Sequence, residues 1–161
     1  MAVATSAYDI ALAIHVMAVV IAFGVTFAYP IMFAVTAGRD PRSLPLVHRI
    51  EYTVERTLVN GGLLVVVIAG IFLASDGHLW SEFFVQWGLG AAVVIGAIVG
   101  SVMIPTAKRA EEAAARDVAA AGDGEIAMGA EYQALVRRLQ TVGSSLSLLV
   151  LVTILFMVIK P

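Results

Sequence analysis

The chain contains no cysteine and little charge: Asp, Glu, Lys and Arg together make up 14% of its 161 residues. Without a thiol it can hold no thiolate metal site, iron–sulfur cluster, covalently attached c-type haem or redox disulfide. Soluble domains carry about 25% charged residues, so this chain has too few to cover a water-exposed body of its size. A net charge of −2 and a pI of about 5.9 exclude a basic nucleic-acid binder. Phosphate-binding glycine loops, HExxH pairs, GxSxG elbows and acidic metal motifs are also missing, so no motif assigns an enzymatic reaction. Gly61-Gly62 reads as a flexible or close-packing site and not as part of a nucleotide motif.

What is present is apolar. Hydrophobic residues make up 60% of the chain, and the mean hydropathy is +0.94. Four runs carry no Asp, Glu, Lys or Arg: Ile10 to Ala37, Thr57 to Ala74, Phe83 to Ile104 and Thr141 to Ile159. At about 1.5 Å per helical residue, each approaches or exceeds the roughly 30 Å hydrocarbon core of a bilayer. The partner these runs require is lipid.

Orientation follows from the cations. Arg39, Arg42, Arg49 and Arg56 lie between the first two runs, and Lys108, Arg109, Arg116, Arg137 and Arg138 lie between the last two. Only Lys160 remains, at the C-terminus. By the positive-inside rule these two connections are cytoplasmic, so both termini face outward in a multi-pass plasma-membrane protein. The tail Met1 to Asp9 has no basic n-region, and span one therefore reads as a retained N-out anchor. Tyr8, Trp80, Phe83, Phe84 and Trp87 form an aromatic belt at the outer end.

The expected fold is a single all-α domain, an antiparallel four-helix transmembrane bundle with spans at about 9–37, 57–75, 82–105 and 141–159. A cytoplasmic helical hairpin over about 106–140 breaks at Gly122-Asp123-Gly124, with Glu112 and Arg116 spaced to pair along one helix. Ser43 and Ser81 are candidate N-caps for the helices that follow them. Ala92, Gly96 and Gly100 on span three, with Gly143 and Ser147 on span four, form small-residue ridges for close helix packing. The spacing leaves open whether the partner helix belongs to this chain, a second copy or another membrane protein.

Polar side chains in hydrocarbon are costly, so the few that occur are the functional candidates. His15 is the only histidine within any of the four runs, on a helix face with Tyr8, Ala11, Ala18, Ala22, Thr26 and Tyr29. Two readings stand side by side. In one, the imidazole is an axial ligand to a b-type haem or a copper ligand, completed by His78 or Met157. In the other, it bonds to Ser144, Ser145 or Gln86 on a neighbouring helix. A second polar cluster, Glu51, Glu55, Arg56 and Asn60, marks the inner entrance of span two. It reads as interfacial snorkelling and ion pairing, or as a site for an anionic headgroup or propionate. His48 reads as an interfacial side chain beside Glu51 and Tyr52.

Several segments carry a family likeness: Ile14-His15-Val16-Met17-Ala18, the arginine-rich first connection, Glu131-Tyr132 to Arg137-Arg138, and Met157-Val158-Ile159-Lys160-Pro161. Together they resemble an uncharacterised bacterial family of four-span integral membrane proteins, a domain of unknown function, across nearly the whole chain. That resemblance implies a four-helix plasma-membrane protein and no established activity. More distantly, a histidine early in span one of a small bundle is similar to copper-resistance membrane proteins and haem-binding membrane protoporphyrinogen oxidases. The leading expectation is a haem-binding or redox-linked membrane protein using His15. Its rivals are a non-enzymatic subunit or scaffold that binds partner helices, including a homo-oligomer, and a small oligomeric transporter.

Overall fold

The computed structural model describes residues 6–161. Met1 to Thr5, part of the tail on which the retained-anchor reading rests, lie outside the described residues. Four long helices follow one another: α1 (Ala7–Arg39), α2 (Pro41–Asp76), α3 (Phe83–Ala121) and α4 (Ala130–Ile159), each apolar enough over its length to cross a membrane. No strand occurs among the described residues. The bundle is therefore all-helical. Ser6 begins α1 with a capping box, its hydroxyl accepting from the Asp9 amide at 3.2 Å while its own amide donates to the Asp9 carboxylate at 2.9 Å.

The first half of α1 packs along the second half of α2, and the first half of α2 packs along the second half of α3. This second contact is close because α3 presents Ala107, Ala110 and Ala114, all with no exposed surface. Val59, Ile95, Val99, Met103, Leu139 and Val150 fill the centre. Arg42 donates to the carbonyls of Gly122 at 2.6 Å and Gly124 at 2.9 Å, which holds the two cation-rich connections side by side.

Several local expectations change. The alanine-rich segment expected from about residue 106 is helical to Ala121, and it continues the same long helix α3 beyond the turn at Val99–Met103. Arg116 pairs with Glu131 at 2.8 Å and not with Glu112, and Glu111 takes Arg49 at 2.7 Å. Adjacent helices come close enough here for bonds between helices to replace the pair within one helix. Glu82, not Ser81, is the N-cap of α3, and the Ser43 hydroxyl bonds Asp40 with no cap bond to the helix it precedes.

Beyond the 3-10 turn at Pro41–Ser43 that opens α2, three turns inside the long helices depart from α geometry: a 3-10 turn at Val25–Ala28 and π turns at Glu55–Val59 and Val99–Met103. Two have proline as their cause. Pro30 and Pro105 lack an N–H and crowd the carbonyl four residues back, so the preceding turn must tighten or widen. The Thr26 carbonyl instead accepts from the Tyr29 amide, three residues on. The third irregular turn immediately precedes Asn60-Gly61-Gly62.

The small residues are mostly used inside the chain. A Cβ at Gly96 would lie 3.1 Å from Leu63 Cδ2, and one at Gly143 would lie 3.6 Å from Met103 Cε, whereas nothing approaches Gly100 within 4 Å. The paired glycines of α2 also separate. A Cβ at Gly62 would sit 2.6 Å from Ala22 Cβ and 3.3 Å from Ala22 Cα, while Gly61 faces open space. Gly62→Ala should therefore destabilise the α1–α2 crossing by about 1–3 kcal/mol through overpacking, and Gly61→Ala should not. Thermal unfolding of the two variants in detergent checks this, and equal melting temperatures would contradict it.

Candidate functional site

Polar side chains gather in two places, each beside a cavity. The first cavity, about 390 Å³, lies between the N-terminal half of α1, the C-terminal half of α2 and the ends of α3 and α4 nearest residues 83 and 157. His15, Gly70, Gly88 and Met157 line it, and most of its wall is apolar. His15 Nδ1 lies 2.9 Å from the carbonyl oxygen of Val66. A carbonyl only accepts, so Nδ1 carries the proton and Nε2 keeps its lone pair. Gly70 makes this approach possible, since a Cβ there would meet His15 Cε1 at 3.3 Å. Gly88 plays the same part for Met157, whose Cε would collide with a Cβ at that position.

His15 thus bonds a main-chain carbonyl, and not Ser144, Ser145 or Gln86. Ser145 donates to Thr141 O at 3.0 Å, and Gln86 donates to Trp80 O at 3.3 Å. Of the two residues expected to complete a His15 site, Met157 shares its cavity. His78 does not line it. Exposed, with φ at 56°, it turns the chain after α2, and its Nδ1 lies 3.1 Å from the Asp76 carbonyl. Val66 and Gly70 were not singled out by the sequence; a glycine facing the histidine across a helix crossing is the only trace they leave. Around the same end, Trp87 donates to Thr153 at 3.2 Å and meets the Phe156 ring edge-on at 5.0 Å.

The second cavity, about 580 Å³, is bounded by the three irregular turns, with Thr26, Glu55, Val59, Val99 and Met103 in its wall. Glu51 and Glu55, one turn apart on α2, are 2% and 3% exposed, and His48 is 1% exposed. These three do not snorkel to an interface. His48 Nδ1 lies 3.0 Å from Glu51 Oε2, and His48 Nε2 lies 3.1 Å from the Tyr132 hydroxyl. Donation to the carboxylate places a proton on Nδ1, so in the neutral ring Nε2 accepts from Tyr132. Phe33 packs against the imidazole with centroids 4.6 Å apart and ring planes tilted by 35°. Glu51 is thereby compensated.

Glu55 is not. Its Oε2 is buried and has no partner, and the same is true of the hydroxyl of Tyr29. Both residues line the second cavity. The remaining members of the inner cluster lie apart from it: Arg56 is exposed and donates to the Tyr52 hydroxyl at 3.0 Å, and Asn60 is half-buried outside the cavity wall. Ser147 is in that wall, whereas Ala92 lines the first cavity.

A family model described as "Predicted integral membrane protein (DUF2269)" matches residues 9–161. No curated protein and no solved structure matches the chain.

The two buried tyrosines make opposite predictions. Tyr132→Phe removes the hydroxyl that satisfies His48 Nε2 and should cost about 1–3 kcal/mol. Tyr29→Phe removes a hydroxyl with no partner and should leave stability unchanged or slightly raised. Denaturant titrations of the purified variants compare them, and an equal loss in both would show that the His48–Tyr132 bond contributes nothing.

Proposed function

The chain belongs to the DUF2269 family of integral membrane proteins, and within that family we propose that it is a redox-linked protein holding a b-type haem through His15. The observation that carries the reading is the imidazole geometry. A histidine that ligates a metal commonly gives its other ring N–H to a carbonyl or carboxylate, which fixes its tautomer and orientation. His15 makes that bond to Val66 and keeps Nε2 free beside an apolar cavity. Met157 supplies a thioether to the same cavity, the soft partner expected of a histidine–methionine haem site.

The residues fit such a group. Gly70 and Gly88 let His15 and Met157 pack close against the helices behind them, since a Cβ at either position would meet those side chains. The cavity wall is largely apolar, which suits a flat ring system, and it is partly open at the bundle surface, which gives a membrane-soluble group a way in. Bound there, haem would supply one-electron transfer. The chain's own part is to fix the ligand nitrogen, exclude water and seat the ring between α1, α2 and α4. The cation-rich connections, held together by Arg42, support their placement on the cytoplasmic side, with both termini outside a plasma membrane.

Protein purified from haem-replete cells should show a Soret band that is lost in His15→Ala and shifted in Met157→Leu, with both variants eluting as the wild type does. A colourless wild type would overturn the proposal.

A further inference from the structure

We propose that the second cavity is a binding site for an organic ammonium cation with an aromatic or apolar body, with Glu55 as the counter-charge and Tyr29 as a hydrogen-bond acceptor. Its polar residues and its chemistry differ from those of the His15 cavity, although Phe23, Ile95 and Val150 line both.

Glu55 and Tyr29, each with a buried oxygen that has no hydrogen-bond partner among the described residues, line one partly open cavity. Leaving such groups unpaired in an apolar interior is destabilising, and more so where charge is involved. Two such omissions on different helices, in the same wall, mark the position of a missing donor. The donors in that wall, on Thr26, Gln140, Ser144 and Ser147, bond neither oxygen, and no lysine or arginine is among the described residues lining the cavity. Glu51, the other acid there, is already engaged by His48, which in turn holds Tyr132. Glu55 is the carboxyl in that wall left with an oxygen that no described residue bonds.

The size and walls of the cavity select the kind of cation. At about 580 Å³ it falls within the roughly 300–1,000 Å³ of small-molecule sites and far exceeds a dehydrated metal ion. No group of three or more His, Asp or Glu placed to hold a metal ion occurs among the described residues. Phe23, Phe27 and Phe33 lie in the wall together with Tyr29. Aromatic faces attract cations and also pack against an apolar body. An ammonium group offers N–H donors that Glu55 Oε2 and the Tyr29 oxygen can accept.

The test uses the full chain in lipid nanodiscs with 1-naphthylmethylammonium, a fluorescent aromatic amine, followed by anisotropy. Saturable binding is expected, weakened at least about tenfold in Glu55→Gln and less in Tyr29→Phe, with 1-naphthylacetate not binding saturably. Binding should persist in His15→Ala, which separates this site from the haem proposal. No saturable binding of the amine, or equal binding in wild type and Glu55→Gln, would overturn the inference. So would a thermal stabilisation by sodium or potassium chloride that requires Glu55 while the amine gives none, since that outcome assigns the site to an inorganic cation. A Glu55→Gln protein that elutes as aggregate is replaced by Glu55→Asp, in which the charge is kept but withdrawn, and the same weakening is required.

Discussion

Hydrocarbon offers a polar group no water, so each polar atom inside the bundle must find its partner in the protein. Several polar side chains in the long helices obey this by turning back on the main chain. Thr26, Thr57, Ser101, Ser145 and Thr153 all donate to a carbonyl three or four residues earlier. His15 does so across a helix crossing, at Val66. Against that pattern the unpartnered oxygens of Tyr29 and Glu55 stand out, because they share one cavity and that cavity is bounded by the three turns where helical geometry is broken. The broken geometry and the missing partners coincide in space.

Two cavities divide the interior between them. One is largely apolar and holds an imidazole with a fixed tautomer; the other holds two carboxyl groups, of which one is hydrogen-bonded to a histidine within the chain. Phe23, Ile95 and Val150 line both. The wall between the sites is thus only a layer of side chains deep, and it belongs to the central core. α2 contributes to both sites, with Val66 and Gly70 at one and Glu51 and Glu55 at the other. A shift of this helix along its close contact with α1 at Gly62 would be felt at each.

The four spans were legible because hydropathy alone specifies them, and His15 was conspicuous because a lone imidazole in an uncharged run has few neighbours to hide among. Met157 was legible by its depth at the same end of the bundle. The second site was not. Glu51 and Glu55 sit where an interfacial reading is reasonable, and only the packing of α3 and α4 over them makes them buried. Tyr29 and Tyr132 are separated from them by more than twenty residues of sequence in each direction, and no local pattern brings three helices to one point. The traces that do exist are prolines: Pro30 and Pro105 lie within or beside apolar runs, and each forces the irregular turn that borders the cavity. Asparagine followed by two glycines marks the third.

The absence of cysteine makes the central claim, that Glu55 gives the second cavity a preference for cations, directly measurable. Ser147→Cys places a single thiol in the wall of that cavity. Its reaction with a positively charged methanethiosulfonate, relative to a negatively charged one and normalised to a free thiol in solution, should favour the cation by about tenfold or more, a difference of about 1.4 kcal/mol. The preference should collapse when Glu55→Gln is added. Equal normalised rates for the two reagents, or a preference untouched by Glu55→Gln, would contradict the account.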